Sequence, residues 1–400
     1  MGDGVPEPPK QDVDLNARDP LEVALSEFTE EKRQGQSPSI EAYALRYPQL
    51  ANEIRDLFPL VENLERWKDD KEVECLRRNV PRHFSFDRLG EYQLIHELGR
   101  GGLGVVFEAV HAISQRTVAI KLLPWRFAAD MSTWKDHLQR EASTIAQLRH
   151  PNIVPIYSFS EDQGYYYYVM QFVDGAGLDK VIQDLKRSRM KQHTARRVSS
   201  FARPVHANLA HDSWRGFAKL AEEVAKALAY AHQQGVVHND IKPSNLLVQA
   251  NGQVIVTDFG IGRLDHSELA DGDDREIRTL MYMAPERWNG PGTPRSDVYS
   301  LGVTLYELVT QTPLFDLARR SQLVNAILKH EPLNPRRRRP DVPEQLERII
   351  LKAMAKDARD RYTSATEMAE DLRRFIDRRP IKATDKGLVR RLVDWFRSRR

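Results

Sequence analysis

Disulfide chemistry is what this sequence most plainly lacks. Cys75 is its single cysteine in 400 residues, so no internal bridge and no multi-thiolate metal site can form, which fits a reducing compartment. Long apolar runs are also missing. No stretch reaches the roughly 18 to 20 apolar residues needed to span a bilayer, and the opening MGDGVPEPPK has no apolar signal core. Both absences argue against secretion and membrane insertion, and a cytoplasmic protein is expected. Gly2 invites N-myristoylation, but Pro6 stands where that motif takes Ser or Thr. Excess charge is nearly absent too: 60 basic and 57 acidic side chains leave +3, which argues against a nucleic-acid partner.

What is present is charge separation and a sizeable apolar fraction. Residues 1–70 carry 8 basic and 16 acidic side chains, whereas residues 372–400 carry 11 basic and 3 acidic. The 41% hydrophobic content is enough to build a core, and the length allows two or three domains. Residues 1–19 are poor in apolar side chains and read as a disordered lead. Residues 20–68 read as an acidic helical module. Leu21, Val23, Leu25 and Phe28 open one helical pattern, Ser37 with Pro38 caps a second carrying Ile40, Tyr43, Ala44 and Tyr47, and Leu50, Ile54, Leu57, Leu60, Val61 and Leu64 mark a third. Residues 69–90 lack periodicity and read as a linker. From Glu91 the texture changes to short β-type runs, YQLIHEL, VVFEAV and TVAIKLL, and helical patterns dominate after residue 216. Strands first and helices later predict an α+β unit with a β-rich lobe ahead of a helical one.

Gly99, Gly101 and Gly104 stand in G-x-G-x-x-G spacing, which lets a backbone approach phosphate oxygens. Alone the pattern is weak. A dinucleotide-binding loop would open a helix, whereas VVFEAV continues as a strand, and no Lys-Ser/Thr follows as in a P-loop, so a glycine hairpin over a nucleotide is left. Lys121, in VAIK, reads by itself as a snorkelling side chain. With Glu141 on a following helical pattern it can instead be an ion-paired cation set against phosphates. Further on come His238, Asn239, Asp240, Ile241, Lys242, Pro243, Ser244 and Asn245, then Asp258, Phe259 and Gly260. Phosphoryl transfer needs a carboxylate near the acceptor hydroxyl and hard oxygen ligands for a divalent cation; Asp240 suits the first need, Asn245 and Asp258 the second.

Over residues 91–376 the order of glycine loop, VAIK, H-x-D-x-K-x-x-N, DFG, Ala284-Pro285-Glu286 and Ser296 to Gly302 (SDVYSLG) resembles the eukaryotic-type protein kinases, specifically their bacterial Ser/Thr (Hanks-type) members. The resemblance implies a bilobal kinase fold and ATP with Mg²⁺ as cofactors, Mn²⁺ being able to stand in. It implies that Asp240 and Lys242 are catalytic, and that Asn245 and Asp258 hold metal. Nucleotide contacts would come from Leu98, Gly99, Gly101, Gly104, Val106, Ala119, Lys121, Glu141, the gatekeeper Met170, and the hinge residues Gln171 to Val173. Lys242 two residues after Asp240, with Thr279 ahead of Ala284, resembles the Ser/Thr-kinase pattern, so Ser or Thr hydroxyls of proteins are the expected acceptors. Glu286 and Arg361 resemble the family's buried ion pair, and Asp297 opens a helix that is apolar on nearly every face.

Two departures stand out. Asn239 occupies the place of the Arg that usually receives an activation-segment phosphate, and Arg278 replaces a Gly. Segment 258–286 offers only Ser267, Thr279 and Tyr282 as acceptors and is dense in acid, so its phosphorylation is not expected to be needed. Residues 183–215 form a basic insertion, read as a solvated loop, with autophosphorylation at Ser199 or Ser200 as the sharper reading. Arg336 to Arg339 read as a solvated turn. Residues 377–400 form a basic amphipathic tail that can dock on the kinase body or touch anionic lipid as a peripheral contact, and a homodimer is compatible with the sequence. A non-catalytic scaffold is the alternative function. A small-molecule phosphotransferase is disfavoured by the Ala-Pro-Glu motif and the long segment before it.

Overall fold

In a computed structural model of the chain, residues 20–33, 38–55, 58, 86–101, 104–126, 143–194, 214–259, 279–288, 290–315 and 320–383 are described. They fall into two compact units divided after Asp69. In the first, α1 (Pro20–Arg33) and α2 (Ile40–Arg46) are followed by a 3₁₀ turn, Pro48–Leu50. The cap of α2 is Ser39 rather than Ser37: its hydroxyl accepts from the Ala42 N–H, as the extended backbone of an N-cap allows. Ala24, Phe28, Tyr43, Ala44, Ile54 and Phe58 make a small core, with Phe28 edge-on to Tyr43 at 5.4 Å and 4.6 Å from Phe58. Leu57, Leu60, Val61 and Leu64 lie outside the described residues.

The second unit begins with an antiparallel six-stranded sheet. Its strands are β1 (Arg88–Leu89), β2 (Tyr92–Gly101), β3 (Gly104–His111), β4 (Thr117–Arg126), β5 (Ile156–Asp162) and β6 (Tyr165–Gln171), in the order β1-β2-β3-β4-β6-β5. β1 falls within the stretch read as a linker, yet Leu89 pairs with Tyr92 and is fully buried. The three predicted β runs are β2, β3 and β4. A second sheet joins β7 (Gly175–Gly177), β8 (Leu246–Gln249) and β9 (Val254–Val256).

Helices follow: α3 (Leu178–Thr194), α4 (Trp214–Gln233), α5 (Pro294–Thr310), α6 (Arg320–Lys329), the single turn α7 (Pro335–Arg338), α8 (Glu344–Ala353) and α9 (Ala365–Ile376). α5 is opened by a reciprocal Thr293/Ser296 capping box, and its residues are buried almost all round, as its apolar sequence requires. α4 packs on α9 and α5, and one continuous core runs from the sheet face carrying Ala119 and Met170 into these helices. The expected order of β-rich lobe and helical lobe is what the chain adopts. No helix among the described residues is long and apolar enough to cross a membrane.

Two surface readings need correction. Residues 183–194 of the basic insertion continue α3 instead of forming a loop; residues 195–213, with Ser199 and Ser200, lie outside the described residues. The arginine run is only half solvated. Arg338 donates to Thr312 Oγ1 (2.9 Å) and the Leu314 carbonyl (3.2 Å), while Arg339, 1% exposed, lies 4.3 Å from the Trp214 ring centre and donates to the Val309 carbonyl. A guanidinium can be buried at such a place because carbonyls and an indole face replace its water. At the start of the tail, where no reading is overturned, the Lys382 and Ala383 N–H groups donate to the buried Asp371 carboxylate at 2.7 and 2.8 Å. Its amphipathic part, from Gly387, lies outside the described residues.

Candidate active site

The hairpin of β8 and β9 sets the geometry. Leu246 pairs with Val256, so Asn245, just before β8, and Asp258, two residues past Val256, come to the same end of the hairpin. The Thr257 N–H and hydroxyl both bond the Asn245 carbonyl, at 2.9 and 3.2 Å. The segment 238–242 meets this end. Asn245 Nδ2 donates to the backbone carbonyl and to Oδ2 of Asp240 (2.8 and 2.9 Å), and Lys242 Nζ lies 2.8 Å from the same Oδ2 and 3.2 Å from Thr279 Oγ1. Burial would raise the Asp240 pKa, but the charge and hydrogen bond of Lys242, with Asn245, hold it below the ordinary Asp value. The group is therefore a carboxylate at neutral pH.

His238 is fully buried, and burial lowers its pKa. Its Nδ1 accepts from the Asp240 N–H (3.2 Å), so the proton of the neutral ring sits on Nε2 and is donated to the Thr257 carbonyl (2.9 Å). Asn239 and Asp258 adopt left-handed backbone conformations, φ 67° and 62°, which Asn and Asp tolerate better than most residues. Asp297 holds the loop from below: its Oδ2 accepts from His232 Nε2 and the His238 N–H, and its Oδ1 from the Asn239 N–H, all at 2.8 Å.

Across from this loop the sheet presents Lys121, 3% exposed, whose Nζ is 2.7 Å from Asp258 Oδ1. The proposed partner Glu141 lies outside the described residues. Register puts Val106 opposite Lys121 and Ala119 opposite Met170, so the four share one face of the sheet. Met170 and Val173 are buried, Leu98 is exposed, and the Gln171 N–H is taken by the Pro155 carbonyl. Gly99 and Gly101 end β2, with Gly101 opposite Gly104. Gly104 is required by its own backbone: φ is 116°, and a Cβ there would lie 1.9 Å from the Leu122 carbonyl oxygen. At Gly99 a Cβ would meet nothing within 4 Å. Gly260 and the segment through Arg278, with Ser267, lie outside the described residues.

Two flanking features complete the site. Arg361 grips Glu286 with two 2.7 Å hydrogen bonds, as the sequence suggests; burial would raise the Glu286 pKa, but Arg361 and Ser296 keep it lowered. Sequence reasoning missed Arg287, one residue further on. Its guanidinium is buried and Nη1 donates to the Asn239 carbonyl. Neither periodicity nor spacing signals that contact, which closes over 48 residues. Likewise the sequence marks Asp297 only as the start of a helix.

Oxygen donors dominate the centre. Among the described residues no group of three or more His, Cys, Asp or Glu is placed to hold a metal ion.

Comparison with known proteins bears on the family and the fold. The protein kinase domain family model matches residues 92–372. The serine/threonine-protein kinase PrkC of Bacillus subtilis is 36% identical over 292 residues, covering 72% of this chain and 41% of PrkC. PknD of Mycobacterium tuberculosis is 34% identical over 284 residues, 70% of this chain and 39% of that protein. The chain thus spans less than half the length of these curated relatives. The crystal structure of the M. tuberculosis PknI kinase domain superposes with a TM-score of 0.51 at 24% identity, covering 73% of this chain and 99% of that one, a likeness of fold.

Proposed function

The chain belongs to the protein kinase family, and from that premise we propose that it is a serine/threonine protein kinase. In this reading it transfers the γ-phosphoryl group of ATP to Ser or Thr hydroxyls of proteins, itself included, without requiring a phosphate on its activation segment. The observation that carries the reading is the bonded set Asn245, Asp240, Lys242 and Thr279.

Asp240 would accept the proton of the incoming hydroxyl. It need not be a strong base: in a loose phosphoryl-transfer transition state the proton leaves late, and an ionised, oriented carboxylate suffices. Lys242, already bonded to Asp240 and Thr279, would steady the γ-phosphoryl group, and Lys121 the α and β phosphates. Asn245 and Asp258 fit Mg²⁺, with Mn²⁺ as a substitute, by donor chemistry. Asn245 spends its amide nitrogen on Asp240, and its oxygen, which accepts only a long 3.5 Å bond from the Ser244 hydroxyl among the described contacts, can serve as a hard ligand. Asp258 has a second carboxylate oxygen beyond the one on Lys121. Two protein oxygens leave room for phosphate oxygens and water, the usual surroundings of Mg²⁺, which when bound would neutralise phosphate charge. Adenine would lie against the face formed by Val106, Ala119 and Met170.

Transfer of labelled phosphate from ATP with Mg²⁺ tests this. Asp240→Asn should lower the rate by about 10²- to 10⁴-fold while ATP still binds. Undiminished transfer overturns the mechanism, and ATP binding without transfer in the native chain favours a scaffold. Phosphatase-treated native protein should keep its rate; loss of activity restored by rephosphorylating the activation segment overturns the phosphate-independent part.

A further inference from the structure

The peptide between Asn239 and Asp240 is the last rigid unit before the Asp240 side chain, and both its polar ends are fixed. Its N–H donates to His238 Nδ1 at 3.2 Å, and its carbonyl accepts from Arg287 Nη1. Rotating that peptide would move the Asp240 carboxylate, so Arg287 acts three bonds from the Cα that carries it. The arginine is itself held. It sits in the turn Pro285–Trp288, one residue after the Glu286 gripped by Arg361 and by Ser296 Oγ (2.8 Å), and its own N–H bonds the Ala284 carbonyl. Room for the contact comes from Gly292, where a Cβ would stand 1.7 Å from Asn239 Oδ1 and 3.2 Å from Arg287 Nε.

Charge fits as well as shape. Burial lowers the Arg287 pKa, and the negative charges of Asp297, Asp240 and Glu286 oppose that shift and help keep the guanidinium charged. With 6% of its surface exposed, Arg287 is a buried cation whose Nη1 is engaged by the Asn239 carbonyl of the loop.

We propose that Arg287 is a positioning residue for the catalytic loop, a cation built into the chain that fixes the peptide preceding Asp240 and so takes the place of a phosphate-dependent contact. The proposal rests on the kinase reading above and explains why Asn suffices at position 239. Gly292 belongs to the same device.

The test uses the full chain, treated with phosphatase, with ATP, Mg²⁺ and myelin basic protein as acceptor. Arg287→Gln should lower kcat by about 10- to 100-fold, the loss expected for a buried charge-assisted hydrogen bond next to the reacting group. KM for ATP and the folded fraction at the assay temperature should change little, although the thermal midpoint falls with the loss of a buried cation, and Arg287→Lys should recover part of kcat. Gly292→Ala should reproduce the fall in kcat by pressing on Asn239. Unchanged kcat in Arg287→Gln overturns the proposal. So does a loss of ATP affinity or folding that matches the loss of rate, or an Arg287→Lys no better than Arg287→Gln. Inactivity of the phosphatase-treated native chain would instead strike the reading beneath it; kcat of the phosphorylated forms then decides Arg287 separately, with equal values for native and Arg287→Gln overturning it.

Discussion

The two faces of the six-stranded sheet are made by alternate residues of the same strands and answer to different demands. One face closes on itself: Val105, Phe107, Ala109, Val118, Ile120, Leu122, Tyr165, Tyr167 and Val169 form a separate core with Leu89. The other carries Val106, Ala119, Lys121, Tyr168 and Met170 toward the helical lobe and the candidate active site. Ile120 and Lys121 are one peptide apart and both under 5% exposed, yet one is enclosed by hydrocarbon and the other pairs with Asp258. A period of two thus lets one strand carry packing and chemistry without either disturbing the other.

The comparison breaks if the two faces prove interchangeable. The largest effect is expected at Lys121→Ala: phosphoryl transfer falls by about 100-fold or more, as for loss of a preorganised charge, with the fold intact by circular dichroism. Ile120→Ala should do the opposite, lowering stability by about 2 to 5 kcal/mol in denaturant titration while the folded fraction keeps its kcat. A strong kcat defect in Ile120→Ala, or a similar stability loss in Lys121→Ala, would erase the distinction.

The smallest effect comes from a second lysine. Lys356, half-buried, has Nζ bonded to the Ile327 (2.6 Å) and Ala326 (3.3 Å) carbonyls at the end of α6. Burial lowers its pKa from 10.5 to about 8, against the pull of Glu331. Between those values the unfolded chain binds more protons than the folded one, so stability should rise with pH across that window. Lys356→Met should flatten the rise, by something of order 1 kcal/mol after allowing for solvent access, without changing kcat. Denaturant titrations at pH 7 and pH 10 measure it.

The sequence was most legible where local pattern and chemistry coincide. The alternating runs of β2 to β4, the Asp240 to Asn245 segment and the Glu286–Arg361 pair were all readable, because each needs particular residue types at short spacing or a known partner. Legibility failed where a charged residue is satisfied by backbone. Arg287, Arg338, Arg339 and Lys356 bond to carbonyls, and every residue has a carbonyl, so composition gives no sign of the partner. It failed also in α3, where a run of Lys and Arg looked like a loop although those residues propagate a helix well. The cap of α2 shifted from Ser37 to Ser39 because two serines near Pro38 offer the same chemistry.

Asp297 makes the loop's chemistry depend on a distant element. Its carboxylate, fully buried at the start of α5, accepts the amide hydrogens of His238 and Asn239 and binds His232 at the end of α4. In hydrogen-exchange terms, these two amides lie in a loop by shape but in a helix by allegiance, since neither can open without loosening the helix that anchors them. The segment bearing Asp240 thereby inherits the slow-exchange class of the most enclosed part of the molecule, and its amides should report on unfolding of α5 rather than on local loop motion.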